Sequence, residues 1–131
     1  LTNAEFDISG INHLAPVCSD MERTVDFCAN VLGMPLVKTL ELPDGRGQHF
    51  FFDLGGANHP AFSWFPDAPP AAPGIASAVT IPGTGEIASA VGSTNHVAFT
   101  IPADKFAAYT RELTSADVRH RPAKSAEPAA I

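Results

Sequence analysis

Apolar and polar positions change their period several times along the first 65 residues. Ile11–Cys18 reads as a strand. Met21, Val25, Cys28, Ala29 and Leu32 then recur at helical spacing and form one apolar face. Ser19 or Asp20 stands where an N-cap belongs, and Glu22 falls in the first turn, where the helix dipole favours an anion. Gly33 suits the position just past the helix, and Pro35 blocks its continuation. Three further strands are predicted, Leu36–Leu42, Gln48–Leu54 and Ala61–Phe65. Pro43-Asp44-Gly45 and Gly55-Gly56-Ala57-Asn58 are the turns between them. The order is β-α-β-β-β over a module of about residues 10–66.

The pattern breaks at Asp67–Gly92, where Pro69, Pro70, Pro73 and Pro82 stand among Ala, Gly and Ser. That stretch reads as a linker or crossing arm, with a short helical turn at Glu86–Val91. A second module opens with strand His96–Ile101 and a helix from about Ala103, offering Phe106, Ala107, Tyr109 and Leu113 for burial. It occupies about residues 93–113. The tail 114–131 is polar, rich in Ala and Pro, and too short for three more strands with their turns.

The two modules share a phrase. Gly10-Ile11-Asn12-His13-Leu14-Ala15 is matched by Thr94-Asn95-His96-Val97-Ala98. Each Asn-His opens a strand, and seven or eight residues after each His an Asp (Asp20, Asp104) opens a helical pattern. Equivalent residues of repeated units often surround one shared site, so His13 and His96 are the leading functional candidates.

Composition narrows the classes. A chain of 131 residues is one domain's worth, and 45% apolar with 17% charged residues marks a folded protein. A net charge of −6 disfavours nucleic acid, which needs a basic face. No apolar run approaches the roughly 20 residues of a membrane span, and no stretch resembles a secretion signal. The expected setting is the cytoplasm, with a small molecule, a metal or a second copy of the chain as partner. The two cysteines, Cys18 and Cys28, fit no metal or redox spacing and read as free thiols.

Ile11-Asn12-His13-Leu14-Ala15, the run Ser19-Asp20-Met21-Glu22-Arg23-Thr24-Val25-Asp26-Phe27, and Val31-Leu32-Gly33-Met34-Pro35-Leu36 resemble the vicinal oxygen chelate superfamily. That superfamily holds glyoxalase I, type I extradiol dioxygenases, fosfomycin-resistance enzymes and bleomycin-resistance proteins. Asn95-His96-Val97-Ala98-Phe99 extends the resemblance to the second module. It implies an α+β fold of paired βαβββ modules, the second incomplete, and a homodimer. It also implies a divalent metal, Fe(II) foremost, with Mn, Ni or Zn as alternatives, held by His13 and His96. Imidazole suits all four ions, and open coordination positions would let paired substrate oxygens chelate.

Two departures qualify the resemblance. The first module's last strand has Ser63 or Trp64 where glyoxalase-like members carry a carboxylate. The strand bearing the family's final Glu is missing, and Glu127 has no strand around it. The junction near Tyr109-Thr110 is where an omitted stretch would fall; otherwise Thr110–Thr114 simply continues the helix.

Other candidates follow from alternation. In Gln48–Asp53, His49, Phe51 and Asp53 share one face of the strand. If that face lines the site, His49 is an acid/base candidate. Phe51 and Trp64 are candidate walls for an aromatic substrate. His59, before Pro60, is a possible replacement for the missing first-module ligand. His120, in the basic run Arg119-His120-Arg121, reads as solvated. The expected activity is metal-dependent and extradiol-dioxygenase-like on a catechol-type substrate. The alternatives are a metal-free protein that sequesters a small ligand, as bleomycin-resistance members do, or a glyoxalase-like lyase.

Overall fold

The computed structural model describes residues 10–71, 79–80, 87–88, 91, 94 and 96–119. The chain divides into two units, Leu1–Ala68 and Pro69–Ile131.

The first unit contains β1 (His13–Leu14), α1 (Met21–Asp26), β2 (Leu36–Glu41), β3 (Gln48–Phe52) and β4 (His59–Trp64). Together they make the βαβββ order, in a four-stranded sheet arranged β1-β4-β3-β2. β1 runs parallel to β4, with His13 opposite His59. β3 is antiparallel to both β4 and β2.

β1 is shorter than the expected Ile11–Cys18, and the reason is local. Pro16 and Pro60 have no N–H to give to a ladder. The alignment nevertheless continues: Val17 bridges Ser63. The Ser63 N–H donates to the Pro16 carbonyl at 2.9 Å, and the Cys18 N–H to the Ser63 carbonyl at 2.8 Å. β4 starts earlier than expected, at His59. Pro60 is tolerated because β3 pairs only as far as Ala61.

Asp20 is the helix cap. Its carboxylate accepts from the Arg23 N–H at 3.0 Å. The helix then widens into a π-helical turn over Phe27–Val31, with the Leu32 N–H reaching back to the Phe27 carbonyl at 3.0 Å. Gly33, at φ 69°, lets the chain leave this wide turn, and the Met34 N–H closes it on the Cys28 carbonyl. The core is small: Met21, Cys28, Met34, Ala61 and Phe52, the last with no exposure. Phe52 meets Phe62 edge-on at 6.0 Å, the geometry aromatic quadrupoles favour.

In the second unit β5 (Val79–Thr80) pairs antiparallel with β6 (Ile87–Ala88). This pair lies in the stretch read as a linker, and Ile87–Ala88 is extended where a helical turn is expected across Glu86–Val91; Glu86, Ser89 and Ala90 lie outside the described residues. The strand expected at His96–Ile101 is not formed; within it only Thr100 takes a bridging position. Ala103–Lys105 is a 3-10 turn leading into α2 (Phe106–Ser115). Asp104 lies in that turn without a side-chain capping bond, unlike Asp20. The helix runs unbroken through Tyr109-Thr110, so Thr110–Thr114 continues it. Ala116 and Val118 close it by donating to the Glu112 and Leu113 carbonyls. No helix of the described residues is long and apolar enough to cross a membrane.

Candidate functional site

The site of the first unit is the sheet face that carries His49 and Phe51. Register decides its membership, because residues directly opposite each other on neighbouring strands share a face. Phe51 faces Ala61, and His49 faces Ser63. Two residues before Ala61, His59 stands opposite His13 on β1. His13, His49, Phe51 and His59 therefore stand on one side of the sheet. Phe50 faces Phe62 and Gln48 faces Trp64, so Trp64 stands on the other side. The expected pairing of Phe51 with Trp64 as walls of one pocket does not form.

Phe51 is the centre of the face. The His49 ring lies tilted against it at 4.5 Å between centroids, and the His13 ring meets it edgewise at 6.3 Å. The Lys38 ammonium sits 5.4 Å from the Phe51 centroid, within the range of cation–π attraction. The small residues Ala61 and Ser63 are buried on the central strand.

His13 and His49 each have one ring nitrogen fixed. The His13 Nδ1 donates to Asn12 Oδ1 at 2.9 Å. In the neutral ring this leaves the lone pair on Nε2, at an exposed position. The His49 Nε2 donates to the Ala61 carbonyl at 3.1 Å, leaving Nδ1 as the acceptor. Asp53, which alternates onto the same face, is occupied: its carboxylate accepts from the Gly55 N–H at 2.7 Å and holds the turn.

The described donors on this face fall short of a metal's ligand set. His13 has the form of a prepared nitrogen ligand, since an oxygen partner on the second ring nitrogen sets tautomer and orientation. Among the described residues no free carboxylate accompanies it on the strands of this face. Among the described residues no group of three or more His, Cys, Asp or Glu side chains is placed to hold an ion. His96 is exposed, in the second unit. His120 and Glu127 lie outside the described residues.

The cysteines are no part of the face. Cys28 is 2% exposed, and burial, with Cys18 nearby, pushes its thiol up to about 11. Cys18 is half-buried, its thiol directed at the Met21 sulfur at 4.0 Å.

Sequence reasoning missed Lys38 and the role of Asn12. The repeated Asn-His phrase was a usable signal for Asn12. Lys38 gave none, because its face depends on a bulge between β2 and β3 that alternation within one strand does not reveal.

Comparison with known proteins places this geometry in a family. Residues 10–127 match the family model described as Glyoxalase/Bleomycin resistance protein/Dioxygenase superfamily. No match was found among curated proteins. Among solved structures, one similar fold is a mutant of the genomically encoded fosfomycin resistance protein FosX from Listeria monocytogenes, complexed with Mn(II) and 1S,2S-dihydroxypropylphosphonic acid. It is 17% identical, covering 91% of this chain and 78% of that one, with a TM-score of 0.60. Another is a glyoxalase family protein from Enterococcus faecalis, 15% identical, covering 93% of this chain and 85% of that one, with a TM-score of 0.63. The structural likeness extends the shared fold over most of the chain, and the family match assigns it: the chain belongs to the glyoxalase, bleomycin resistance protein and dioxygenase superfamily.

Proposed function

We propose that the chain is a divalent-metal-dependent enzyme acting on a small molecule through paired oxygen atoms. His13 and His96 are its imidazole ligands. The observation that carries this reading is the Asn12–His13 bond, which holds the His13 ring and leaves Nε2 free to donate. His96 enters through its matching place in the repeated phrase. Mn(II) in the FosX structure supports a divalent ion for this fold. The finer form of the proposal is Fe(II) and extradiol-type cleavage of a catechol-type aromatic. Its support is the Phe51 ring with the His49 imidazole tilted against it, an aromatic pair on the site face.

When bound, the metal supplies a Lewis-acid centre with positions open to both substrate oxygens. The residues of this chain do the rest. Asn12 fixes the His13 tautomer. Phe51 offers its face to an aromatic ring. His49, bonded through Nε2 to the Ala61 carbonyl, presents Nδ1 to accept a proton from a substrate hydroxyl.

A second reading has its own observation. Ala61 and Ser63 occupy the middle of β4 on the site face, and neither supplies a carboxylate. A metal-free protein that sequesters an aromatic ligand fits that surface. Elemental analysis of the purified protein separates the two. The enzyme reading expects a divalent ion near one per chain, removed by chelator and lost in His13→Ala and His96→Ala. Tight binding of an aromatic ligand by metal-free protein, unchanged in those variants, sinks it in favour of the binder.

A further inference from the structure

β2 and β3 do not pair evenly. Leu36 stands opposite Phe52, but Lys38 stands opposite Phe51, so Val37 is an extra residue on the edge strand. This bulge has a definite consequence. With regular pairing from Leu36, Val37 would oppose Phe51 and Lys38 would oppose Phe50, on the other side of the sheet. The inserted residue turns Lys38 onto the face of His13, His49 and Phe51, where its ammonium lies over the Phe51 ring. Bulges commonly re-aim a side chain in this way beside a site.

The charge pattern of the first unit gives that placement meaning. The whole chain carries −6. Asp20, Glu22 and Asp26 are at or on the helix. Asp44 is in the hairpin turn, and Glu41 accepts from Gln48 across the edge pair. Among the described residues, the strands of the site face thus bring together one ammonium and three imidazoles, and the carboxylate that alternates onto it, Asp53, is taken up by the Gly55 N–H. Protection of a sheet edge would place a lysine on either side of β2. Here the backbone is bent to bring it to the aromatic platform.

We propose that Lys38 is a specificity-determining residue that binds an anionic oxygen group on the substrate, the substrate being an aromatic carboxylate whose ring lies on Phe51. This rests on the reading of the His49–Phe51 face as the substrate face. The exposed Lys38 side chain would move off the Phe51 ring as the substrate ring takes that place, and act as a point charge at its edge, favouring the acid over its neutral analogue.

Benzoate and benzamide, equal in shape and different in charge, test it by titration into the full chain. Lys38 is exposed on an edge strand, so Lys38→Met leaves the core untouched. Wild type is expected to prefer benzoate. Lys38→Met should weaken benzoate by up to about fivefold, the upper end for an exposed charge pair, and leave benzamide unchanged. Lys38→Arg should restore the preference, and added salt should erode it. Equal affinity for both ligands in wild type, or an equal loss of both in Lys38→Met, overturns the role of Lys38 and leaves the substrate face standing. Failure of both ligands to bind wild type overturns the substrate face and this inference with it. Weaker benzoate binding in Phe51→Leu, with the charge preference kept, supports both.

Discussion

Asn12 and His13 are adjacent in sequence, and the bond between their side chains is the smallest unit of the proposed site. Loss of an outer partner of a metal-binding His typically lowers metal affinity about 10- to 100-fold. Asn12→Ala should therefore weaken Mn(II) binding by about tenfold, read by calorimetric titration. Its melting temperature should stay close to wild type, because Asn12 is exposed. Cys28 makes a contrasting prediction. With its thiol raised from 9.0 to about 11 in the fold, the native state holds that proton more tightly than the unfolded chain does. Its contribution to stability is complete below about pH 9 and declines as pH rises from 9 towards 11. Denaturant midpoints across that window should fall, and Cys28→Ser should flatten the fall. At pH 8, a thiol reagent should modify the half-buried Cys18 well before Cys28.

At the scale of elements, two positions anchor the first unit's geometry. Asp20 caps α1, and Asp20→Ala should cost about 1 kcal/mol of stability by chemical denaturation. Gly47, just before β3, has φ 152°, and a Cβ there would meet the Trp64 carbonyl oxygen and the Phe65 ring. Gly47→Ala forces backbone apart at the β3–β4 pair, so a loss of about 2–4 kcal/mol is expected. Most elements of this unit were legible. Cap, helix face, exit glycine and turn residues agree locally for α1, β2 and β3. The misses have physical causes. The expected Ala61–Phe65 leaves out His59 and Pro60, which join β4 because only β1 pairs with that end and no N–H is needed from Pro60 on the β3 side. β5 and β6 are two residues each, below the length at which alternation can be detected. His96–Ile101 has the same phrase as β1, but β1 gains its ladder from β4, and no described strand pairs with the second copy. Trp64 and Lys38 depend on register and on a bulge. Alternation within one strand predicts which residues share its own face, but says nothing of how two strands align.

At the scale of the whole molecule, the family could be read from the first module's phrases, while the site could be read only in part. His49 and Phe51, neighbours by alternation on β3, do share a face with His13, which lies far away in sequence on β1. Of the two β4 positions the sequence left open, register puts Ser63 on the site face and Trp64 on the other. Linkage gives the metal proposal a global readout. An ion that binds the folded chain alone stabilises it by about 2.7 kcal/mol at a hundredfold excess over Kd. Mn(II) should therefore raise the melting temperature of wild type and not that of His13→Ala. The most direct measurement is the imidazole nitrogen spectrum of the 15N-labelled chain during a Mn(II) titration. The account predicts His13 as the tautomer protonated on Nδ1, with its Nε2 signal broadened away by substoichiometric Mn(II), together with a nitrogen of His96. A His13 ring in the opposite tautomer, or Nε2 signals that stay sharp as Mn(II) is added, would contradict it.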